Sequence, residues 1–143
     1  MATFTKFQAF VEHLAEGVHN LGADTLKILL SNDAPSAAND AVKGDLTSEL
    51  AGGNGYTANG HTVTISSSAQ SGGTYKLVGS DVTITASGGS VGPFRYAVLY
   101  NDTPTSPADP LIGSWDYGSS ITLAAGETFT VDLDATNGIL QLA

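Results

Sequence analysis

The stretch Gly92-Pro93-Phe94-Arg95-Tyr96-Ala97-Val98-Leu99-Tyr100-Asn101-Asp102 limits what this chain can fold into more than any other. A Gly-Pro break opens it and an Asn-Asp turn signal closes it. Between them, Phe94, Tyr96, Val98 and Tyr100 alternate with Ala97 and Leu99, so both sides of an extended segment are apolar. A strand of that kind needs cover above and below, and the rest of the chain must supply two layers around it. Arg95, the sole arginine, lies inside this strand near its entry to the sheet, where it is read as satisfying an acid or backbone carbonyls at the rim.

The flanking sequence predicts a mainly β protein. Phe7, Phe10, Val11, Leu14, Val18 and Leu21 recur at three- and four-residue spacing, which predicts a helix over about 5–20 with Thr5 as N-cap and Asn20-Leu21-Gly22 as its stop. Thr25 to Leu30 is a β-prone run within a first strand region at about 25–31. Residues 34–60 form a long Ala/Asn/Asp/Gly/Ser-rich loop excursion anchored by Val42, Leu46, Leu50 and Tyr56, with a helical turn predicted around Leu46–Leu50. Strands follow at His61–Ser66, Thr74–Val78 and Asp81–Ala86, with Gly79-Ser80 suited to a tight turn between the last two. Beyond the central strand, the proline-rich loop Thr103–Pro110 cannot join a ladder and is expected to be exposed. Two short strands, Leu111–Tyr117 and Ser120–Leu123, are expected around Tyr117-Gly118-Ser119. Thr128–Leu133 follows, and Asn137-Gly138 turns the chain into Ile139–Leu142. Eight or nine short strands, about 25–31 and 61–142, predict a jelly-roll-like β-sandwich with one N-terminal α-helix, a single domain over 1–143.

Charge narrows the partners. The chain carries 14 acids against 5 Lys plus Arg, a formal charge of −9, and its cations are scattered. Nucleic acid, which demands clustered cations, is not an expected partner. The absence of cysteine removes disulfides, thiolate metal sites and thiol nucleophiles. No signal peptide or membrane span is expected, because the N-terminal apolar run is interrupted by Glu12, His13 and Glu16.

Sites for chemistry are sparse. His13 and His19 lie six apart, on different faces of the predicted helix, so a helical metal pair is not expected; His19 is read as a surface partner of Glu16, and His61 as a rim residue on a turn. No Gly-x-Ser-x-Gly elbow occurs. Asp132 and Asp134 share one strand face and have the types of a glycosidase pair, but alternation alone also places polar residues there. The run Asp132–Gly138 lacks the Gly position and closing Glu of a calcium loop. No catalytic, cofactor-binding or metal residue is assigned. Tyr96, Tyr100, Trp115 and Tyr117 offer aromatic faces for stacking a sugar, and Trp115 and Tyr117 share a strand face; core packing is the plainer use of all four.

Asn54-Gly55-Tyr56-Thr57-Ala58, Gln70-Ser71-Gly72-Gly73-Thr74-Tyr75-Lys76-Leu77, the central Gly92–Asp102 segment and Trp115-Asp116-Tyr117-Gly118-Ser119-Ser120 together resemble a family of small structural proteins of tailed bacteriophages. The resemblance is to capsid cement or decoration proteins. It implies a non-enzymatic protein of the virion's capsid surface, made in the cytoplasm of the bacterial host. Its implied partners are the major capsid protein and copies of itself, as a homo-oligomer on the particle, without cofactor, nucleic acid or membrane. The helix, the 34–60 excursion and the 103–110 loop are the expected contact elements. The competing expectation is a tail or fibre module that binds host-surface carbohydrate or receptor through Tyr100, Trp115 and Tyr117.

Overall fold

The computed structural model describes residues 2–143. In chain order the elements are β1 (Phe4–Lys6), α1 (Gln8–Ala15), β2 (Leu26–Ser31), β3 (His61–Thr62), β4 (Ile65–Ser71), β5 (Thr74–Gly79), β6 (Val82–Thr85), β7 (Val91–Asn101), β8 (Leu111–Leu123), β9 (Thr128–Val131) and β10 (Leu140–Leu142). A five-stranded antiparallel sheet runs β1-β8-β7-β2-β3, and two smaller sheets run β10-β5-β4 and β6-β9. The chain is therefore a mainly β sandwich with one N-terminal helix, as its pattern predicts, built from ten strands among the described residues. Strand β7 is central: Leu26 to Ser31 of β2 pair with Asn101 to Tyr96 on one side, and β8 pairs on the other.

Burial explains why these segments are strands. Leu26, Ile28, Leu29 and Leu30 on β2, and Val98, Leu99 and Tyr100 on β7, are fully buried. They belong to one core that continues through Leu77 of β5, Ile84 of β6, Val131 of β9 and Ile139. Burying a side chain of this size stabilises the fold by roughly 1.5–3 kcal/mol before entropy is counted, so this continuous cluster is the main stabilising feature. At one end of β7, Phe94 packs edge-to-face on Phe129 at 4.9 Å; at the other, the Tyr100 hydroxyl donates to the Asn59 carbonyl.

The helix is shorter than its apolar spacing predicts. Thr5 lies in β1, Phe7 occupies the N-cap position with extended geometry, and the helix ends at Ala15. Gly17 stops it: at φ +78 it donates to the Leu14 carbonyl while Val18 donates to that of His13. That pair of bonds is a Schellman closure, which needs a residue able to adopt the left-handed region. Val11, counted in the apolar stripe, is left exposed, whereas Leu21 reaches the core from the turn that follows.

Three strand expectations are corrected. The predicted His61–Ser66 strand is divided, because β3 pairs with β2 whereas β4, entered through Val63-Thr64, pairs with β5. Gly79-Ser80 is no hairpin turn: β5 stays with β4 and β10, while β6 crosses to β9. A Cβ on Gly79 would lie 2.9 Å from Val63 Cγ1 and 3.1 Å from Ile139 Cδ1, so the bare backbone lets the crossing chain run close to the core. The two strands expected around Tyr117-Gly118-Ser119 are one strand, β8. Tyr96 faces Asp116 and Phe94 faces Ile121, so Arg95 alone on β7 lies opposite the bulging segment Tyr117–Ser120, with Gly118 at φ +102.

Candidate functional site

Residues 32–60, which include the loop excursion expected at 34–60, form a tied pad. The segment around Leu46–Leu50 is extended instead of helical, because Leu50 donates to the Leu30 carbonyl and Glu49 bridges Ser31. The one short helical turn of this segment lies earlier, at Lys43–Asp45. The buried Tyr56 hydroxyl accepts the Leu30 N–H at 3.0 Å, and desolvation raises its pKa well above the usual phenol value. Lys43 Nζ donates to Asn59 Oδ1 at 2.6 Å and pairs with Glu49 at 3.3 Å. Asp45 accepts the Ala41 and Val42 N–H groups, which holds its carboxyl below the usual range.

This pad joins elements far apart in sequence. Gln8, at the start of α1, donates its N–H to the Ala37 carbonyl at 2.8 Å. Lys43 donates to the Asp109 carbonyl at 2.9 Å, Leu111 donates to that of Ala41 at 3.0 Å, and Val42 bridges Pro110. The proline-rich loop is thus only partly the exposed excursion its composition predicts. Thr105, Ser106 and Ala108 are exposed, but Pro110 is buried, and its carbonyl accepts the Asn101 N–H although the ring has no donor. Helix, excursion and loop form one connected surface. Segments 32–60 and 102–110 carry six acids, Asp33, Asp40, Asp45, Glu49, Asp102 and Asp109, against one lysine, Lys43.

A second feature lies at the open side of the sandwich, where a groove of about 310 Å³ separates β8 from β9. Arg95, Ala97, Trp115, Tyr117, Phe129 and Asp132 line it. Trp115 is half-buried against Phe4, with ring centroids 5.0 Å apart. Tyr117 stands 54% exposed and meets Phe129 edge-on at 5.7 Å. Arg95 forks on Asp116, Nε to Oδ1 at 2.8 Å and Nη2 to Oδ2 at 3.0 Å, which agrees with its reading as the partner of a rim acid. That pairing, with the Gly118 N–H on Oδ1, holds the Asp116 carboxyl below the usual carboxylate range.

The four aromatics named from sequence therefore separate. Trp115 and Tyr117 share the groove. Tyr96 lies beneath the Arg95 guanidinium at 5.4 Å, and Tyr100 is fully buried, its pKa raised by desolvation, so Tyr100 offers no face to a ligand. Phe129 is the groove residue that sequence reasoning missed, because inward alternation with Val131 and Leu133 marks it only as core.

The histidines also move from their expected places. With the helix ended at Gly17, His19 folds back instead of facing Glu16 in solvent. It is 7% exposed, its ring lies 5.1 Å from that of Phe10 and 6.2 Å from that of His13, and its pKa is lowered to about 4, first by burial and then by the His13 charge. His61 is the first residue of β3, just past the turn that ends at Gly60; it accepts the Thr57 N–H through Nε2 at 3.2 Å, and burial lowers its pKa. Strand β9 ends before Asp132, so Asp132 and Asp134 do not share a strand face. Asp134, at φ +33, accepts the Thr136 and Asn137 N–H groups and organises the turn into β10. Among the described residues, no three His, Asp or Glu side chains are grouped to hold a metal ion. Among the described residues, no helix is long and apolar enough to cross a membrane.

In comparisons with known proteins, no family model, no curated protein and no solved structure matches this chain.

Proposed function

We propose that this chain is a bacteriophage virion structural protein, a capsid cement or decoration protein that binds the outer surface of the shell and stabilises it. Its partners are the major capsid protein and further copies of itself, arranged as a homo-oligomer on the particle. The observation that carries this reading is the hydrogen-bonded union of α1, the 32–60 pad and the 103–110 loop into one surface. A surface ordered before contact loses little conformational entropy on docking. A standard interface of about 800 Å² per partner is roughly a ninth of this chain's 6936 Å² of accessible surface, an area that one such face accommodates. Repetition over a symmetric shell converts weak single contacts into avidity. The net charge of −9 suits a position outside the shell, away from packaged DNA, and Asp33, Asp40, Asp45, Glu49 and Asp109 of the pad and loop favour a neutral or cationic patch on the partner.

The test is addition of purified protein to expanded capsids that lack it. Co-sedimentation with the shell and a rise in shell melting temperature are expected; absence of both sinks the reading.

A second reading, a tail or fibre module that binds host-surface carbohydrate or receptor, is favoured by one observation, the convergence of Trp115 and Tyr117 on one groove. Labelled antibody located on particles by electron microscopy separates the two readings: decoration of the shell supports the first and decoration of the tail supports the second.

A further inference from the structure

We propose that the groove between β8 and β9 binds a neutral hexopyranose ring, stacked on Trp115 and Tyr117 and hydrogen-bonded by Arg95 and Asp132. The inference deepens the carbohydrate reading above. Sugar binding in solution tests the groove, whereas position on the particle tests that reading, so failure of one is distinguishable from failure of the other.

A pyranose has an apolar C–H face and a periphery of hydroxyls, each a donor and an acceptor. The groove has the complementary plan. Trp115, Tyr117 and Phe129 supply aromatic surface over a floor of Ala97 and Val131, and polar groups stand at the rim. Its volume, about 310 Å³, falls at the small end of the range for ligand sites.

The aromatic walls are set in place before any ligand arrives. Tyr117 stands at the start of the β8 bulge, where the Gly118 N–H donates to Asp116 Oδ1 at 2.8 Å, and its ring is braced edge-on against Phe129. Trp115 is braced from behind by Phe4. A large aromatic side chain that is both braced and 54% exposed presents a fixed stacking face to solvent.

The polar rim has both functions a hydroxyl needs. Arg95 has five N–H donors in a planar fork, and two are engaged by Asp116, which leaves three with a fixed direction. Asp132 accepts the Asp134 N–H through Oδ1, which leaves Oδ2 as an acceptor at the opposite wall. The charges select the class of sugar. Asp116 neutralises Arg95 and Asp132 adds a negative charge, on a chain whose net charge is already −9, so a carboxylated sugar meets repulsion and a neutral one does not.

Trp115 is the sole tryptophan, so its emission reports occupancy of the groove directly. The full chain is titrated with the methyl pyranosides of glucose, galactose and mannose, with N-acetylglucosamine and with glucuronic acid. A saturable change in Trp115 emission with at least one neutral sugar is expected. Half-saturation on the order of millimolar follows from the small size of a single ring. Glucuronic acid is expected to bind at least tenfold more weakly. Tyr117→Ala and Asp132→Ala, both at exposed side chains, are expected to raise the half-saturation point tenfold or more with the melting temperature unchanged. The proposal is overturned if no neutral sugar gives a saturable change, if glucuronic acid binds as tightly as the best neutral sugar, or if Tyr117→Ala binds like the parent chain. It is also overturned if an extended peptide, and no sugar, displaces solvent from Trp115.

Discussion

The side-chain amide nitrogen of Asn101 lies 3.1 Å from Nδ1 of His19, across 82 positions of sequence, and donates at 2.7 Å to Oδ2 of Asp24. With both amide hydrogens used in this way, Nδ1 of His19 is an acceptor and the buried ring is the neutral tautomer with its proton on Nε2. Protonation of Nδ1 would break the contact to Asn101, and burial opposes the charge in any case.

Stability should therefore fall on mild acidification. The folded pKa of His19 is about 4 against 6.5 for the free side chain, so the unfolded chain binds the extra proton first. The contribution is fully present above pH 6.5, declines as pH falls from 6.5 towards 4, and is gone below that. It amounts to at most about 3 kcal/mol. Urea denaturation of the parent and of His19→Gln between pH 4 and 8 checks this; a variant with the same slope in this window as the parent would exclude His19 as the cause.

Tyr56→Phe should destabilise the fold by about 1–2 kcal/mol, since it leaves the buried Leu30 N–H without its acceptor. Because Tyr56 pins the pad to β2, hydrogen exchange in 32–60 is expected to quicken more than exchange in β8. Uniform acceleration throughout the chain would count against this local role.

Gly113→Ala tests the attachment of β1. A Cβ at this position would lie 2.2 Å from the Phe4 ring and 3.0 Å from the Thr5 carbonyl oxygen, so the first strand must shift outward. A loss of roughly 1–3 kcal/mol is expected from such crowding. Protease cleavage should become faster before residue 7, and Trp115 emission should move to longer wavelength as its Phe4 cover is lost.

Ala38→Arg and Ala108→Arg alter exposed positions of the proposed contact face without touching the core. Each should keep the parent melting temperature and weaken co-sedimentation with capsids by tenfold or more. Binding equal to the parent in both would move the contact to another surface.

Strands β7 and β2, at the centre of the main sheet, are legible because their signals are local, whereas the edge strand β1 falls where the apolar spacing predicts the start of a helix. Gly92-Pro93 and Asn101-Asp102 bracket β7, and its apolar residues on both alternations announce a covered strand. Leu26 to Leu30 do the same for β2. Choice of partner was not legible, since it depends on residues far along the chain. Nothing local at Val63-Thr64 says that the next strand leaves the main sheet, and nothing at Gly79-Ser80 says that β6 will join β9. Gly17 lies inside the apolar spacing that predicts a helix to about residue 20, and only its left-handed φ in the fold marks it as the stop. Trp115 and Tyr117 were recognisable as a shared aromatic face; Phe129, on a separate sheet, was not, because the groove exists only once β9 is set across from β8. His19 was misplaced for a related reason, as its burial follows from where the helix ends.

The pairing of Phe4, Thr5 and Lys6 with Trp115, Ser114 and Gly113 sets an order of events in time. At about 5–20 residues per second, the ribosome makes β8 some 5–20 seconds after β1. For that interval the first strand has no neighbour, and the Phe4 ring has no indole to cover. The edge of the finished sheet is closed by a segment that was synthesised early and docked late, and so the newborn chain carries from its first residues a fastening it can use only after most of its length is made.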